Sequence, residues 1–392
     1  MLYFKKRQVK GRIMNMREDG YAELSVICMK GCEEFAKQVD YYLKEWRRHD
    51  GEDTYIAKVD CPRFGTGEAK GMLYSSMRGH DVYIICDIFN YSVTYKMYGM
   101  TVPMSPDDHY ADLKRIIAAI GGKARRITVI MPMLYEGRQH KRSSRESLDC
   151  AIMLQELVKM GVTDILTFDA HDARICNAVP LNGFDNIQPT YQMIKALVRN
   201  YPDIELEKDH LMMISPDEGA MQRSMYYSSV LGLDIGMFYK RRNYSIVING
   251  RNPIEAHEYL GRSVKGKDVI IVDDMIASGE SLIDVALQLK EKGAKRIFNF
   301  ATFGLFTDGF DKFDKAYEDG LIDKIFTTNL VYRRPELLEK PWYCEVNMCK
   351  YVAYLIDTLN HDRTISNLLD PVKRIHTLLD KHKANLTDKK QG

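Results

Sequence analysis

The chain has 392 residues, 45% of them apolar, with 56 basic against 54 acidic side chains, a size that suits roughly two domains, each with its own core. A formal charge of +2 argues against nucleic-acid binding by bulk charge, and no apolar run approaches the ~20 residues that a membrane-spanning helix needs. The eight cysteines are scattered, the Cys28–Cys32 and Cys344–Cys349 spacings fit no zinc pattern, and the N-terminus lacks a secretory pattern, so buried free thiols in a cytoplasmic protein are expected.

In chain order, Asp81-Val-Tyr-Ile-Ile-Cys86 predicts a strand, and residues 90–108, rich in Tyr, Met and Pro, predict a long loop. Two units with one pattern follow: helix Tyr110 to Ile120, a turn from Gly121, strand Ile127 to Met131; then helix Leu148 to Met160, a turn at Gly161, strand Ile165 to Phe168. Pro180, Asn182, Gly183 and Pro189 break both periodicities, which places a domain boundary near Asn182–Thr190. Beyond it, Leu211 to Ser215 and Val269 to Val272 predict strands. A third unit runs from helix Leu282 to Lys292 through Gly293 to strand Ile297 to Phe300. The tail after Arg363 is polar and basic, with a last helix at Val372 to Leu379 and frayed residues from Thr387. Glycine after each helix and a short return to a parallel strand are the signature of βαβ repeats, so two similar α/β domains with open parallel sheets are expected.

Ligands of parallel sheets bind beyond the carboxyl ends of the strands, so the polar residues there are the candidates. The loop after Met131 carries Arg138, His140, Lys141, Arg142 and Arg145, which suits a polyphosphate or simply a solvated surface. After Phe168 come Asp169, His171 and Asp172, a set that fits a divalent cation, a proton shuttle or a cap. Asp217 follows Ser215-Pro216 in an ordinary turn. Lys240-Arg241-Arg242 follows Met237-Phe238-Tyr239 and opens a polar loop of the lid type. Most informative is Val269-Ile-Ile-Val-Asp-Asp-Met-Ile-Ala-Ser-Gly-Glu-Ser281: a β-branched strand, two adjacent carboxylates, a small-residue turn and a helix opening at Ser281. Backbone N–H groups in such a turn make an anion cradle, and two like charges so close are costly as mere structure.

That loop resembles the phosphoribosyl pyrophosphate loop of type I phosphoribosyltransferases. From Glu33 to Lys350, the motif order resembles the ribose-phosphate pyrophosphokinase family. Arg63-Phe-Gly-Thr-Gly-Glu68 stands for a motif that contacts adenine from a neighbouring subunit, Arg138-Gln139-His140 for Arg-Gln-Asp at the ATP site, and Asp169-Ala-His171 for a motif whose histidine binds magnesium. Ser215-Pro-Asp217-Glu-Gly219 matches a second metal-linked motif, and Lys240-Arg-Arg242 the catalytic cations at the base of a flexible loop. The departures are Thr66, His140 and Ala277 where the family has Asp, Asp and an acid, and Glu280 where a glycine is usual.

The resemblance implies an α/β fold of two tandem type I phosphoribosyltransferase-like domains, each a mostly parallel sheet flanked by helices. These would span residues 1–182 (ATP side) and 183–350 (sugar-phosphate loop), with a helical extension at 351–392. It implies transfer of a diphosphoryl group from Mg-ATP to ribose 5-phosphate in a homo-oligomer built from dimers, up to a hexamer, with no nucleic-acid or membrane partner. The implied ATP-binding residues are Phe64, Gly67, Glu68, Arg138, Gln139 and His140, and the Mg2+ residues are His171 and Asp217. Lys240 and Arg242 would be catalytic, and Asp273, Asp274, Ala277, Ser278, Gly279, Glu280 and Ser281 would hold ribose 5-phosphate. The alternatives are a catalytically silent regulatory homologue, motivated by the departures, and a phosphoribosyltransferase.

Overall fold

A computed structural model describes residues 20–47, 54–242 and 254–391, with side chains outside 240–257 and 388–391. The first half runs β1 (Leu24–Cys28), α1 (Glu33–Arg47), β2 (Ile56–Ala57), β3 (Val59–Asp60), β4 (Met72–Leu73) and β5 (Asp81–Ile85). It continues with β6 (Thr94–Met97), β7 (Met100–Pro103), α2 (Pro106–Ile120), β8 (Arg126–Ile130), α3 (Asp149–Lys159), β9 (Asp164–Phe168) and β10 (Gly183–Ile187). One sheet has the order β10-β9-β8-β5-β1-β2, and every neighbouring pair in it is parallel.

The second half runs α4 (Thr190–Asn200), β11 (Leu211–Ser215), α5 (Met221–Leu231), β12 (Asp234–Arg242), β13 (Ile254–Leu260), β14 (Asp268–Ile276) and α6 (Glu280–Glu291). Then come β15 (Ile297–Gly304), α7 (Asp311–Glu318), β16 (Lys324–Thr328), β17 (Tyr343–Val346), α8 (Cys349–Asn360), α9 (Ser366–Leu369) and α10 (Val372–Gln391). Its sheet has the order β13-β12-β11-β14-β15-β16-β17, with only the β12–β13 pair antiparallel. The expected pair of α/β units, each a mostly parallel sheet flanked by helices, is therefore present.

Strand alternation divides the apolar residues between cores. Val82 and Ile84 join Leu113, Ile116 and Ile117 of α2 and Leu154 and Leu157 of α3 in one cluster. Val269 and Ile271 join Val285 and Leu289 of α6 in the second half's counterpart. Their strand neighbours Tyr83, Ile85, Ile270 and Val272 all enter one further cluster, which also takes Val39 and Leu43 of α1 and Val352 and Ile356 of α8. That shared core spans both halves.

Several expectations need correction. Residues 90–108 are not one loop: β6 and β7 form an antiparallel hairpin with Met97 opposite Met100, and α2 opens at Pro106 with a capping box on Ser105 and Asp108. The two turn residues, Tyr98 and Gly99, both have positive φ (48° and 81°), as a type I′ hairpin requires. Gly183–Ile187 pairs with β9, so the first sheet continues past residue 182. The Asn182–Gly183 break is a turn into an edge strand, and a Cβ at Gly183 would collide with the Asp164 carboxylate of β9. The last helix runs to Gln391 instead of ending at Leu379. His382, buried, bonds the Ile204 carbonyl at 2.8 Å and so ties this helix to the second half. All eight cysteines are unpaired thiols, with Cys32, Cys86, Cys150 and Cys349 buried, and among the described residues no helix is long and apolar enough to cross a membrane.

Candidate active site

In the second sheet the chain turns back at β11, from which β12 leads one way and β14 the other; such a switch point leaves a crevice beyond the strand ends. Asp217 lies just past β11, where its Oδ1 accepts the Ala220 N–H at 3.1 Å. Asp273 and Asp274 lie inside β14, which extends to Ile276, and their carboxylates stand close enough to interact. Asp274 turns toward the first half: His171 Nδ1–H donates to its Oδ2 at 2.6 Å. Arg138, Glu136, Asp169, His171 and Asp274 line one cleft, with Phe89 and Phe303 in its walls.

The electrostatics follow from burial and pairing. The Asp274 hydrogen bond raises the His171 pKa against the opposing effect of burial. Burial pushes Asp274 up, but the bond to His171 and the charge of Arg223 outweigh it and hold the carboxyl low. Asp273 goes the other way: burial and the Asp274 charge push it well above the usual carboxylate range. Two close carboxylates that share little solvation part in this manner, one pushed up and the other held low.

Asp169 sits between the halves. Its φ is +41°, a conformation that non-glycine residues seldom take, and its backbone N–H bonds the Ile187 carbonyl at 2.9 Å. Arg223 Nε of α5 donates to both carboxylate oxygens at 2.7 and 2.9 Å. Thr302 of β15 donates its hydroxyl at 2.6 Å. Burial pushes the Asp169 pKa up and Asp274 adds to that, while Arg223 opposes. Neither Arg223 nor Thr302 was foreseen: an arginine inside a helix and a threonine inside a strand carry no signal in a single sequence.

The remaining candidates are placed as follows. His140 lies beside His171, ring centroids 5.4 Å apart, with its nitrogens 3.2 Å from the Gly137 carbonyl and 3.3 Å from Asp172; burial lowers its pKa. Gln139 turns back to the Ser147 carbonyl at 2.9 Å. Asp172 caps the turn at Ala173–Ala178 through the Arg174 N–H, and bonds to Arg174 hold its carboxyl well below the usual range. Phe64, Gly67 and Glu68 form a separate small turn, in which Phe64 N–H bonds the Glu68 carbonyl at 2.7 Å. None of the three lines the cleft, and Phe64 is 56% exposed. Backbone pairing sets Lys240 opposite His257 and Arg242 opposite Ile254; the side chains of both cations lie outside the described residues.

The turn after β14 opens α6 one residue earlier than expected, at Glu280, with Gly279 (φ 85°) as N-cap and no side-chain cap. A helix end without its own cap suits an external anion. Phe313 packs so closely over Gly279 that a Cβ would collide with its ring. Ala277 is pinned by its carbonyl to the Thr307 N–H at 3.0 Å, and the Ser278 hydroxyl accepts the Glu280 N–H at 3.4 Å. Glu280 is directed outward, 75% exposed and 3.8 Å from Lys312 Nζ. Ser281 stands in the first turn of α6.

Comparison with known proteins completes the picture. Residues 24–161 match the model of the N-terminal domain of ribose phosphate pyrophosphokinase, and residues 253–370 match that of the phosphoribosyl synthetase-associated domain. The chain is 28% identical to the ribose-phosphate pyrophosphokinase of Vibrio cholerae over 337 residues, 84% of this chain and 96% of that one. It is 30% identical to that of Mycoplasma genitalium over 277 residues, 70% and 75% of the two chains. Its fold resembles the crystal structure of phosphoribosylpyrophosphate synthetase from Mycobacterium smegmatis with a TM-score of 0.70 at 20% identity, covering 87% of this chain and 99% of that one. Two tandem sheets meeting at one cleft, and relatives aligned across both of them, lead to one conclusion: the chain belongs to the ribose-phosphate pyrophosphokinase family.

Proposed function

We propose that this chain is an active ribose-phosphate diphosphokinase (EC 2.7.6.1): it moves the β,γ-diphosphoryl group of Mg-ATP to the 1-hydroxyl of ribose 5-phosphate, giving phosphoribosyl pyrophosphate and AMP. The observation that carries this reading is the 2.6 Å bond from His171 to Asp274, which joins the two halves beside Arg138 in a single cleft. Such a transfer asks for positioning and charge neutralisation more than for covalent participation.

Arg138 holds phosphate oxygens of ATP, in a loop whose shape Gln139 and His140 maintain. The Ala277–Ser281 turn and the uncapped start of α6 receive the 5-phosphate. Asp273 faces the sugar side, while Asp274 orients His171. Lys240 and Arg242 neutralise charge on the moving diphosphoryl group. Phe64, Gly67 and Glu68 reach the adenine of a neighbouring copy in a dimer-based homo-oligomer, a role supported by the exposure of Phe64.

The residues also fit a magnesium ion. With Nδ1 bonded to Asp274, Nε2 of His171 is the nitrogen left for a ligand, and Asp217 would act through water. One or two protein groups, completed by substrate oxygens, are what this ion usually takes. When bound with the nucleotide, it supplies neutralisation of phosphate charge. The free thiols suit work in the cytoplasm.

The test is AMP formation from ATP by the purified chain, with and without ribose 5-phosphate. Sugar-dependent AMP release is expected, and Lys240→Ala should lower turnover at least ~100-fold while both substrates still bind. The second reading, a silent regulatory homologue, rests on His140 being engaged by Asp172 where the resemblance calls for a free acid. Binding of ATP without AMP release would select it.

A further inference from the structure

Two residues of one short loop in the first half, Asp169 and His171, both bond residues of the second half. Asp169 is 3% exposed and is gripped from two elements: α5 through Arg223 and β15 through Thr302. The Arg223 side chain is itself 11% exposed, and its charge also acts on Asp274 and Asp273. One Nε–H shared between both carboxylate oxygens centres the planar guanidinium on the carboxylate and so fixes direction as well as distance. The positive φ of Asp169 is a backbone state that persists only where the surroundings enforce it. The enforced residue lies two positions before His171, so whatever holds Asp169 also sets where the His171 ring meets Asp274.

We propose that Arg223, with Thr302, is a positioning residue of the reaction: by clamping Asp169 across the halves it sets the placement of His171 in the cleft. This deepens the proposed function and rests on it for its kinetic consequence, though the clamp is a statement about His171 geometry whatever the reaction. Arg223 touches neither substrate nor reacting atoms in this assignment. It acts through Asp169.

The test uses the full chain, selectively 15N-labelled at histidine, with the His171 resonances identified by their loss in His171→Ala. In Arg223→Lys the charge stays but the Nε–H shared between the two Asp169 oxygens is lost, so the His171 Nδ1–H signal should shift or broaden. In kinetics, kcat for AMP formation should fall by about 100-fold, as misplacement by about 1 Å does, with both KM values nearly unchanged. The double variant His171→Ala/Arg223→Lys should be no slower than His171→Ala alone, because the clamp has nothing left to place. Should Arg223→Lys fail to fold, Thr302→Val removes the other donor to Asp169 at nearly equal volume and should shift the same resonance. Unchanged His171 resonances in a folded Arg223→Lys or Thr302→Val protein would overturn the proposal, as would additive losses in the double variant. If the unmodified chain makes no AMP, the function reading fails, and the resonance measurement still decides the clamp by itself.

Discussion

At the amino end of β5, Asp81 is forked by Arg126 at the start of β8, with contacts of 2.8 and 2.6 Å. At the amino end of β14, Asp268 is forked by Arg296 just before β15, with contacts of 3.1 and 2.6 Å. The two sheets thus repeat one device at the ends remote from the cleft. At their carboxyl ends they diverge: the first half presents Arg138 and His171, the second an acid pair and an uncapped helix. A shared device at one end and different side chains at the other fit a division in which the amino ends maintain the scaffold and the carboxyl ends hold the proposed site. The forks also differ from each other. Arg126 further donates to the Leu359 carbonyl, and Asn360 bonds Asp81 at 2.9 Å, so the first fork fastens α8 as well. The second reaches instead to the exposed Asp203 and lies over the Tyr201 and Phe298 rings.

The largest effect expected from this comparison is on stability. Arg126→Ala leaves the fully buried Asp81 carboxylate without its cation and should cost about 3–5 kcal/mol. Arg296→Ala, at the more exposed fork, should cost about 2 kcal/mol. Urea unfolding midpoints of both variants check this, and equal losses would erase the distinction between the forks. His171→Ala should do the reverse at the other end: about 3 kcal/mol in transition-state stabilisation, read from kcat/KM, with little change in unfolding midpoint. A large stability loss there would mean that the carboxyl end is scaffold too.

The same division explains what the sequence made legible. Helix–glycine–strand units were readable because Gly121, Gly161 and Gly293 follow amphipathic helices and lie in the left-handed region. The β14 turn was readable because Asp273 and Asp274 adjoin in an otherwise apolar strand. The β6–β7 hairpin was missed because its signal is a Tyr-Gly turn among methionines and prolines, where tertiary support from Asp108 and Arg63 stands in for local propensity. The Asp274–His171 pairing was illegible for a different reason: the two residues are 103 positions apart, and nothing local encodes which strand end faces which. The side chains of Lys240 and Arg242 lie outside the described residues, so their assignment rests on motif order alone.

A smaller effect should come from the turn that opens α6. Gly279→Ala places a side chain at φ 85° and against Phe313, and should cost about 1–3 kcal/mol. Because the turn is part of the proposed phosphate cradle, the KM for ribose 5-phosphate should rise while that for ATP holds. A rise in both would show that the second half's carboxyl end is not specialised for the sugar.

The smallest expected effect sharpens the comparison through pH. The folded-state pKa of His171 lies above its ordinary 6.5, because its bond to Asp274 favours the imidazolium. A group raised in this way contributes stability that is fully present below about pH 6.5 and is lost as pH rises through the folded-state value. The His171 side chain is 40% exposed, so solvent screening leaves about 0.5 kcal/mol of this. The stability difference between the unmodified chain and His171→Gln should therefore shrink between pH 6 and pH 9. The difference between the unmodified chain and Arg126→Ala should stay constant over that range, since a guanidinium keeps its charge throughout. Matching pH dependence in both variants would mean that the interface at the cleft is as permanent as the scaffold, and the functional contrast between the two ends of the sheets would be lost.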